Sequence, residues 1–190
     1  SGTTTINTIC EDDFTLYDLN NDPNFFPFGA DAGGAWTFGG NPTTGIFRAA
    51  DIFGNSIDPF GLYTYTVSDI NGTCPPQSTD ITIIAETPPN TGNALANISV
   101  CDNDASITNY NLNQLLDGNQ DLGGNWTYNG LIVANPIDLS TYTSLPTTHT
   151  FTYELTPPAG SYCSNNGALP YTTICNLTIN PEPQIDFSSI

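Results

Sequence analysis

Six short blocks occur twice in this chain, in the same order, and no other feature limits its fold so tightly. Ile9-Cys10-Glu11-Asp12-Asp13 is matched by Val100-Cys101-Asp102-Asn103-Asp104, and Asp18-Leu19-Asn20 by Asn111-Leu112-Asn113. Gly33-Gly34-Ala35-Trp36-Thr37-Phe38 is matched by Gly123-Gly124-Asn125-Trp126-Thr127-Tyr128. Tyr63-Thr64-Tyr65-Thr66-Val67 is matched by Phe151-Thr152-Tyr153-Glu154-Leu155, Cys74 by Cys163, and Ile81-Thr82-Ile83 by Leu177-Thr178-Ile179. The chain therefore divides into a first repeat over residues 1–87, a second over 88–183, and a tail, 184–190, that resembles the approach to each first cysteine and is expected to open a further unit. The polar, proline-bearing stretch 86–92 is the expected linker.

Inside the blocks, apolar residues alternate with Thr. Trp36 and Phe38 share a face, as do Tyr63, Tyr65 and Val67, and as do Ile81 and Ile83. A period of two with β-branched and aromatic residues predicts strands. The 17 glycines and 15 prolines predict many turns between them. Several short strands in each repeat predict an all-β chain of two tandem immunoglobulin-like β-sandwich domains, each burying its Trp between two layers.

Composition narrows the function. Nineteen acidic residues against one basic residue, Arg48, leave a formal net charge of −18. A polyanion repels phosphate backbones and anionic membrane surfaces, so neither nucleic acid nor membrane insertion is expected. No apolar run is long enough to span a bilayer. Five cysteines point to an oxidising, extracellular location. The repeat matches Cys10 with Cys74 and Cys101 with Cys163, and these are the expected disulfides. Cys175 falls opposite Thr79 in the block alignment. Two readings stay open for it: a buried free thiol, or a switched pairing with Cys101 or Cys163.

Catalysis finds little footing. His149 is the single histidine, in a Thr-rich segment entering a strand, and no nucleophile elbow or Cys-x-x-Cys is present. It reads as an exposed polar strand residue. Calcium is the ligand the residues suit best: Asp12 and Asp13, with Asp102 and Asp104, recur just after the first cysteine, and clustered hard oxygens suit Ca²⁺. The competing reading is a pair of solvated acidic turns. Phe25 and Phe26 fall opposite Leu115 and Leu116 and read as core. Phe28 has no apolar counterpart and is the candidate for exposure to a partner such as a surface polysaccharide.

The order of first cysteine, acidic turn, Asp/Asn-Leu-Asn, Gly-Gly-x-Trp-Thr-aromatic, aromatic-Thr-Tyr and second cysteine resembles the Ig-like repeats of very large Bacteroidota cell-surface proteins. These include mobile gliding-motility adhesins and related type IX-secreted proteins. Cys10, Asp12, Leu19, Gly33, Gly34, Trp36, Tyr63, Tyr65 and Cys74 carry it, with Cys101, Asp102, Leu112, Gly123, Gly124, Trp126, Phe151, Tyr153 and Cys163. The resemblance implies a non-catalytic structural repeat whose neighbours are further repeats of the same chain. Two alternatives stand beside it. One is a carbohydrate-binding module; the other is a filament subunit assembled by exchange of the terminal segments.

Overall fold

A computed structural model describes residues 5–25, 31–49, 59–69, 71–142, 147–165 and 170–183. Phe26, Phe28 and the tail 184–190 lie outside them. The chain separates into two compact units, divided at Pro88 and Pro89, with the loop that begins at Pro158 belonging to the first.

In the first unit, β1 (Thr5–Cys10), β3 (Ala35–Phe38), β4 (Asn41–Thr43), β6 (Gly61–Val67) and β7 (Gln77–Glu86) form one sheet in the order β1-β7-β6-β3-β4. A second layer is the short pair β2 (Tyr17–Asp18) and β5 (Ile46–Phe47). In the second unit, β8 (Ile98–Cys101), β9 (Asn125–Tyr128), β10 (Leu131–Val133), β11 (Thr147–Leu155) and β12 (Tyr171–Asn180) repeat the sheet as β10-β9-β11-β12-β8. There the short pair shrinks to a single bridge, Tyr110 with Ile137, closed by reciprocal bonds of 2.8 and 2.9 Å. A last hairpin (β6-β7, β11-β12) flanked by the Trp strand and its neighbour is the order of the larger leaf of a variable-type immunoglobulin domain; among the described residues the other leaf is a short pair or a single bridge. The first strand joins the edge in parallel, Cys10 beside Glu86 and Cys101 beside Asn180.

The two cores match position by position. Trp36 is 3% exposed and packs on Tyr65 at 4.9 Å between ring centroids; Trp126 is 2% exposed and packs on Tyr153 at 5.2 Å. Each core also holds a fully buried leucine, Leu19 or Leu112. A buried indole must give its N–H to an acceptor. Asn20 accepts from Trp36 at 3.0 Å and Asn113 from Trp126 at 2.9 Å, which explains the recurring Leu-Asn. The Gly-Gly pair is explained as closely. Gly33 and Gly123 hold φ of +90° and +94°, a region other residues avoid. The next glycine lies under the tyrosine: a Cβ on Gly34 would stand 2.5 Å from the Tyr65 ring, and one on Gly124 2.4 Å from Tyr153. Each tyrosine hydroxyl accepts from that glycine's N–H and donates to the carbonyl of Asp31 or Asp121.

The strand register corrects the last block of the repeat. Tyr63 faces Ile81, and its equivalent Phe151 faces Cys175; Tyr65 faces Thr79, and Tyr153 faces Thr173. Ile81 and Ile83 therefore correspond to Cys175 and Leu177, and Cys175 takes the place of Ile81 rather than Thr79. A slip of two residues keeps every side chain on its own face, so the period-two pattern does not reveal it. Cys175 is fully buried and free, a small apolar filler where the first repeat has isoleucine.

Seven of the nineteen acidic residues serve turns. Asp13, Asp18, Asp22, Asp69, Asp104, Asp117 and Asp138 each accept the backbone N–H two residues on. Such Asx turns need a carboxylate or amide at the turn's first position. The Asp117 carboxyl, held by the Asn93 side chain and then by the Asn119 amide, falls to about 2.

Replacing Cys175 separates filler from function. Cys175→Val should leave the second unit within about 1 kcal/mol of its original stability, as a swap of similar volume does. Cys175→Ser should cost about 1–3 kcal/mol by burying a hydroxyl. Denaturant unfolding followed by tryptophan fluorescence measures both, and equal losses would contradict the assignment.

Candidate functional site

The first strand of each repeat ends on a cysteine followed by an acidic turn, and the first of these carries the one covalent cross-link among the described residues. Cys10 ends β1, where Glu11 donates its amide to the Glu86 carbonyl at 3.0 Å. The Cys10 sulfur is bonded to Cys163, with Cα atoms 4.8 Å apart, inside the usual range for a disulfide. Cys163 sits in the 3-10 turn Tyr162–Asn165, on the loop from Pro158 that belongs to the first unit. Both cysteines are buried, at 2% and 0% exposure.

Glu86 clamps that loop. Its carboxylate accepts the Ser161 hydroxyl and, at 2.9 Å, the Tyr162 amide. Ser161 in turn accepts the Cys163 amide at 3.1 Å, so sulfur and carboxylate hold one turn from two sides. The Ser161 hydroxyl, and after it the Tyr162 amide, keeps the Glu86 acid below its ordinary value. Neither Glu86 nor Ser161 stands out in the sequence: Glu86 reads as the first linker residue, and Ser161 as one of many loop serines.

This pairing corrects the sequence expectation. Cys10 is not joined to Cys74, nor Cys101 to Cys163. Cys74 is exposed and Cys101 half-buried, and both are free. The physical reason lies in the loops after the aromatic strands. In that of the first repeat, Asp69 accepts the amides of Asn71, Thr73 and Cys74 at 3.0–3.1 Å. It holds Cys74 outward instead of carrying it back to Cys10. The loop of the second repeat carries Cys163 to Cys10 while Cys101 lies at the end of β8 in the other unit.

The candidate calcium ligands are dispersed by their turns. Asp13 accepts the Thr15 amide at 2.8 Å and the Tyr17 hydroxyl at 2.5 Å. Partial burial raises its carboxyl, and these bonds outweigh that and leave it lowered. Asp104 accepts the Ser106 amide at 2.8 Å, and Asp102 the Glu182 amide at 2.9 Å. Among the described residues, the only group of three metal-ligating side chains is Cys10, Asp12 and Cys163, and its two sulfurs are in the disulfide. No cluster of carboxylates is gathered at either turn.

Phe25 is 6% exposed and lies in the core. The tryptophans are buried, at 3% and 2% exposure; an open depression of about 260 Å³ at Trp126 is lined by Asn113, Asn125, Asn135 and Gln120 together with Leu122, Val133 and Tyr153. His149 is 8% exposed rather than exposed as the Thr-rich segment suggests. It lies on the inward face of β11, with Nδ1 3.1 Å from the Tyr128 hydroxyl and Tyr142 edge-on at 5.0 Å. Burial lowers its pKa. Its hydrogen-bond partner is a tyrosine, Tyr128.

No family model and no curated protein sequence matches the chain. Among solved structures it is similar to the human mucin-like protocadherin domains EC1-2 at 15% identity, covering 97% of this chain and 98% of that one, with a TM-score of 0.37. It is similar to extracellular domains 3-5 of Drosophila OTK at 11% identity over 96% and 60%, TM-score 0.37. It is also similar to Sidekick-1 immunoglobulin domains 1-5 at 12% identity over 77% and 32%, TM-score 0.32. The chain thus spans about a third of the Sidekick-1 structure and three-fifths of the OTK structure. The strand order, not these likenesses, carries the immunoglobulin-like assignment.

Protonation of Glu86 should loosen the turn. A carboxyl lowered on folding contributes stability that is complete above its ordinary pKa and is lost as pH falls through the folded value. Hydrogen exchange at the Tyr162 amide should accelerate, relative to the intrinsic rate, as pH drops below the ordinary carboxylate range. Glu86→Gln should remove that dependence. A Tyr162 amide whose protection has the same pH profile in both proteins would show that Glu86 does not hold the loop.

Proposed function

We propose that the chain is a non-catalytic structural repeat of an extracellular adhesion protein, of the kind that forms the shaft of large Bacteroidota surface adhesins, including those of gliding motility. One observation carries the reading: the residues the two repeats share around the tryptophan serve packing and internal hydrogen bonds. Leu19 and Leu112, Asn20 and Asn113, Gly34 and Gly124, Trp36 and Trp126, and Tyr65 and Tyr153 are engaged in packing, in the indole hydrogen bond or in the tyrosine bridge. A duplicated binding or catalytic site would repeat exposed groups of matched chemistry. Stacked modules of this type act through the length they add and through contacts with their neighbours.

Two further features favour this reading. A buried disulfide persists in an oxidising compartment. A chain with one basic residue offers a trypsin-like protease almost no cleavage site.

The test is binding to a panel of algal and bacterial polysaccharides, with calcium and with a chelator. A folded monomer that binds none of them in either condition is the expected outcome. Saturable micromolar binding that is lost in Phe28→Ala or Asp102→Ala would overturn the spacer reading and make this a recognition module.

A further inference from the structure

Cys74 and Cys101 are left over by the same rule that joins Cys10 to Cys163. In sequence terms, the first cysteine of one repeat is bonded to the second cysteine of the next. Applied at every junction, that rule leaves one first-type and one second-type cysteine without a partner in a chain of two repeats. Those are Cys101 and Cys74, and both are free.

The backbone around Cys101 reproduces that around Cys10. Each ends a strand paired in parallel with the last strand of its unit, opposite Asn180 and Glu86 respectively. The following amide donates to that partner's carbonyl, Asp102 to Asn180 at 2.9 Å and Glu11 to Glu86 at 3.0 Å. The acidic turn then closes on the cysteine carbonyl, Asp104 on Cys101 at 3.1 Å and Asp13 on Cys10 at 3.2 Å. The difference is cover. Cys10 is 2% exposed beneath the Cys163 turn, whereas Cys101 is half-buried and Asn180, at the register of Glu86, is exposed. The loops correspond as well. Cys74 follows a glycine of positive φ, Gly72, and a hydroxyl residue, Thr73; Cys163 follows Gly160 and Ser161 in the same way, with Tyr162 inserted. Each cysteine amide is held by a side-chain oxygen of its own loop at 3.1 Å.

We infer that Cys101 and Cys74 are the open halves of a second junction of this kind: Cys101 receives the Cys74 loop of another repeat and closes on it as a disulfide. The inference rests on the structural-repeat reading, since the partner is a repeat with this cysteine pattern; a second copy of the chain supplies one. The bond forms by two exchanges with a low-molecular-weight disulfide such as oxidised glutathione. The Cys101 thiolate attacks it and releases one glutathione thiolate. The Cys74 thiolate of the second copy then attacks the Cys101 sulfur of the mixed disulfide and releases the other. The two protein thiols lose two protons and two electrons, and two glutathiones carry them away. Two chains of charge −18 repel each other, so the reaction needs salt; near physiological ionic strength the repulsion is screened over about 8 Å.

The experiment mixes two variants. Cys74→Ser keeps Cys101, and Cys101→Ser keeps Cys74. In a glutathione redox buffer with salt, each variant alone should stay monomeric on a non-reducing gel, and the mixture should give a dimer that reductant dissolves. The unaltered chain should form a ladder, and its peptic peptides should contain Cys101 joined to Cys74, which keeps the test independent of how either variant folds. Absence of the mixed dimer, equal dimer in either variant alone, or a Cys74–Cys101 bond within one monomer would each overturn the inference. Glycan binding by the ladder would instead overturn the spacer reading and leave the junction standing.

Discussion

A tryptophan without solvent sets the terms for each repeat. Removing so large a ring from a core typically costs about 3–5 kcal/mol, and leaving its indole N–H unmatched costs about 1–3 kcal/mol more. The chain meets both demands with few residues. Asn20 or Asn113 accepts the indole hydrogen, and Tyr65 or Tyr153 supplies the ring beneath. Gly34 or Gly124 leaves the space that ring occupies. The tyrosine hydroxyl then ties two backbone segments together, so one aromatic pair organises the Gly-Gly turn, the Trp strand and the central strand at once.

That arrangement explains how a five-stranded sheet and a largely irregular facing layer hold together among the described residues. The five-stranded sheet supplies the Trp, the tyrosines and the inward residues of the last strand. Among the described residues, the opposite layer includes Tyr17, Leu19, Phe25 and Phe47 in the first unit, and Ile107, Tyr110, Leu112, Leu115 and Leu139 in the second. Irregular backbone in that layer needs local hydrogen bonds, and aspartates provide them at turn after turn. The extreme acidity of the chain is thus in good part turn chemistry.

Much of this was legible in the sequence. The repeat located both cores, and alternation placed Trp36, Tyr63, Tyr65, Phe151 and Tyr153 on inward faces. What the pattern could not show were relations that leave it unchanged. A two-residue slip preserves which side chains face inward, so Cys175 was set opposite Thr79 although it replaces Ile81. Likewise, first and second cysteines alternate along the chain whether each repeat closes on itself or on its neighbour. Only the course of the loop from Pro158, and the Glu86 clamp that fixes it, decides between them. His149 departs from its sequence signal for a different reason: its Thr neighbours suggest solvent, but β11 points it inward beside Tyr128 and Tyr142.

The central claim is that sulfur joins repeats in a staggered register, and peptide mapping of the unreduced chain tests it most directly. Digestion with pepsin at low pH avoids both disulfide exchange and reliance on the single arginine. The account expects Cys10 to be recovered joined to Cys163, with Cys175 recovered as an alkylated thiol after unfolding. Recovery of Cys10 with Cys74, and of Cys101 with Cys163, would contradict it and return each repeat to a disulfide of its own.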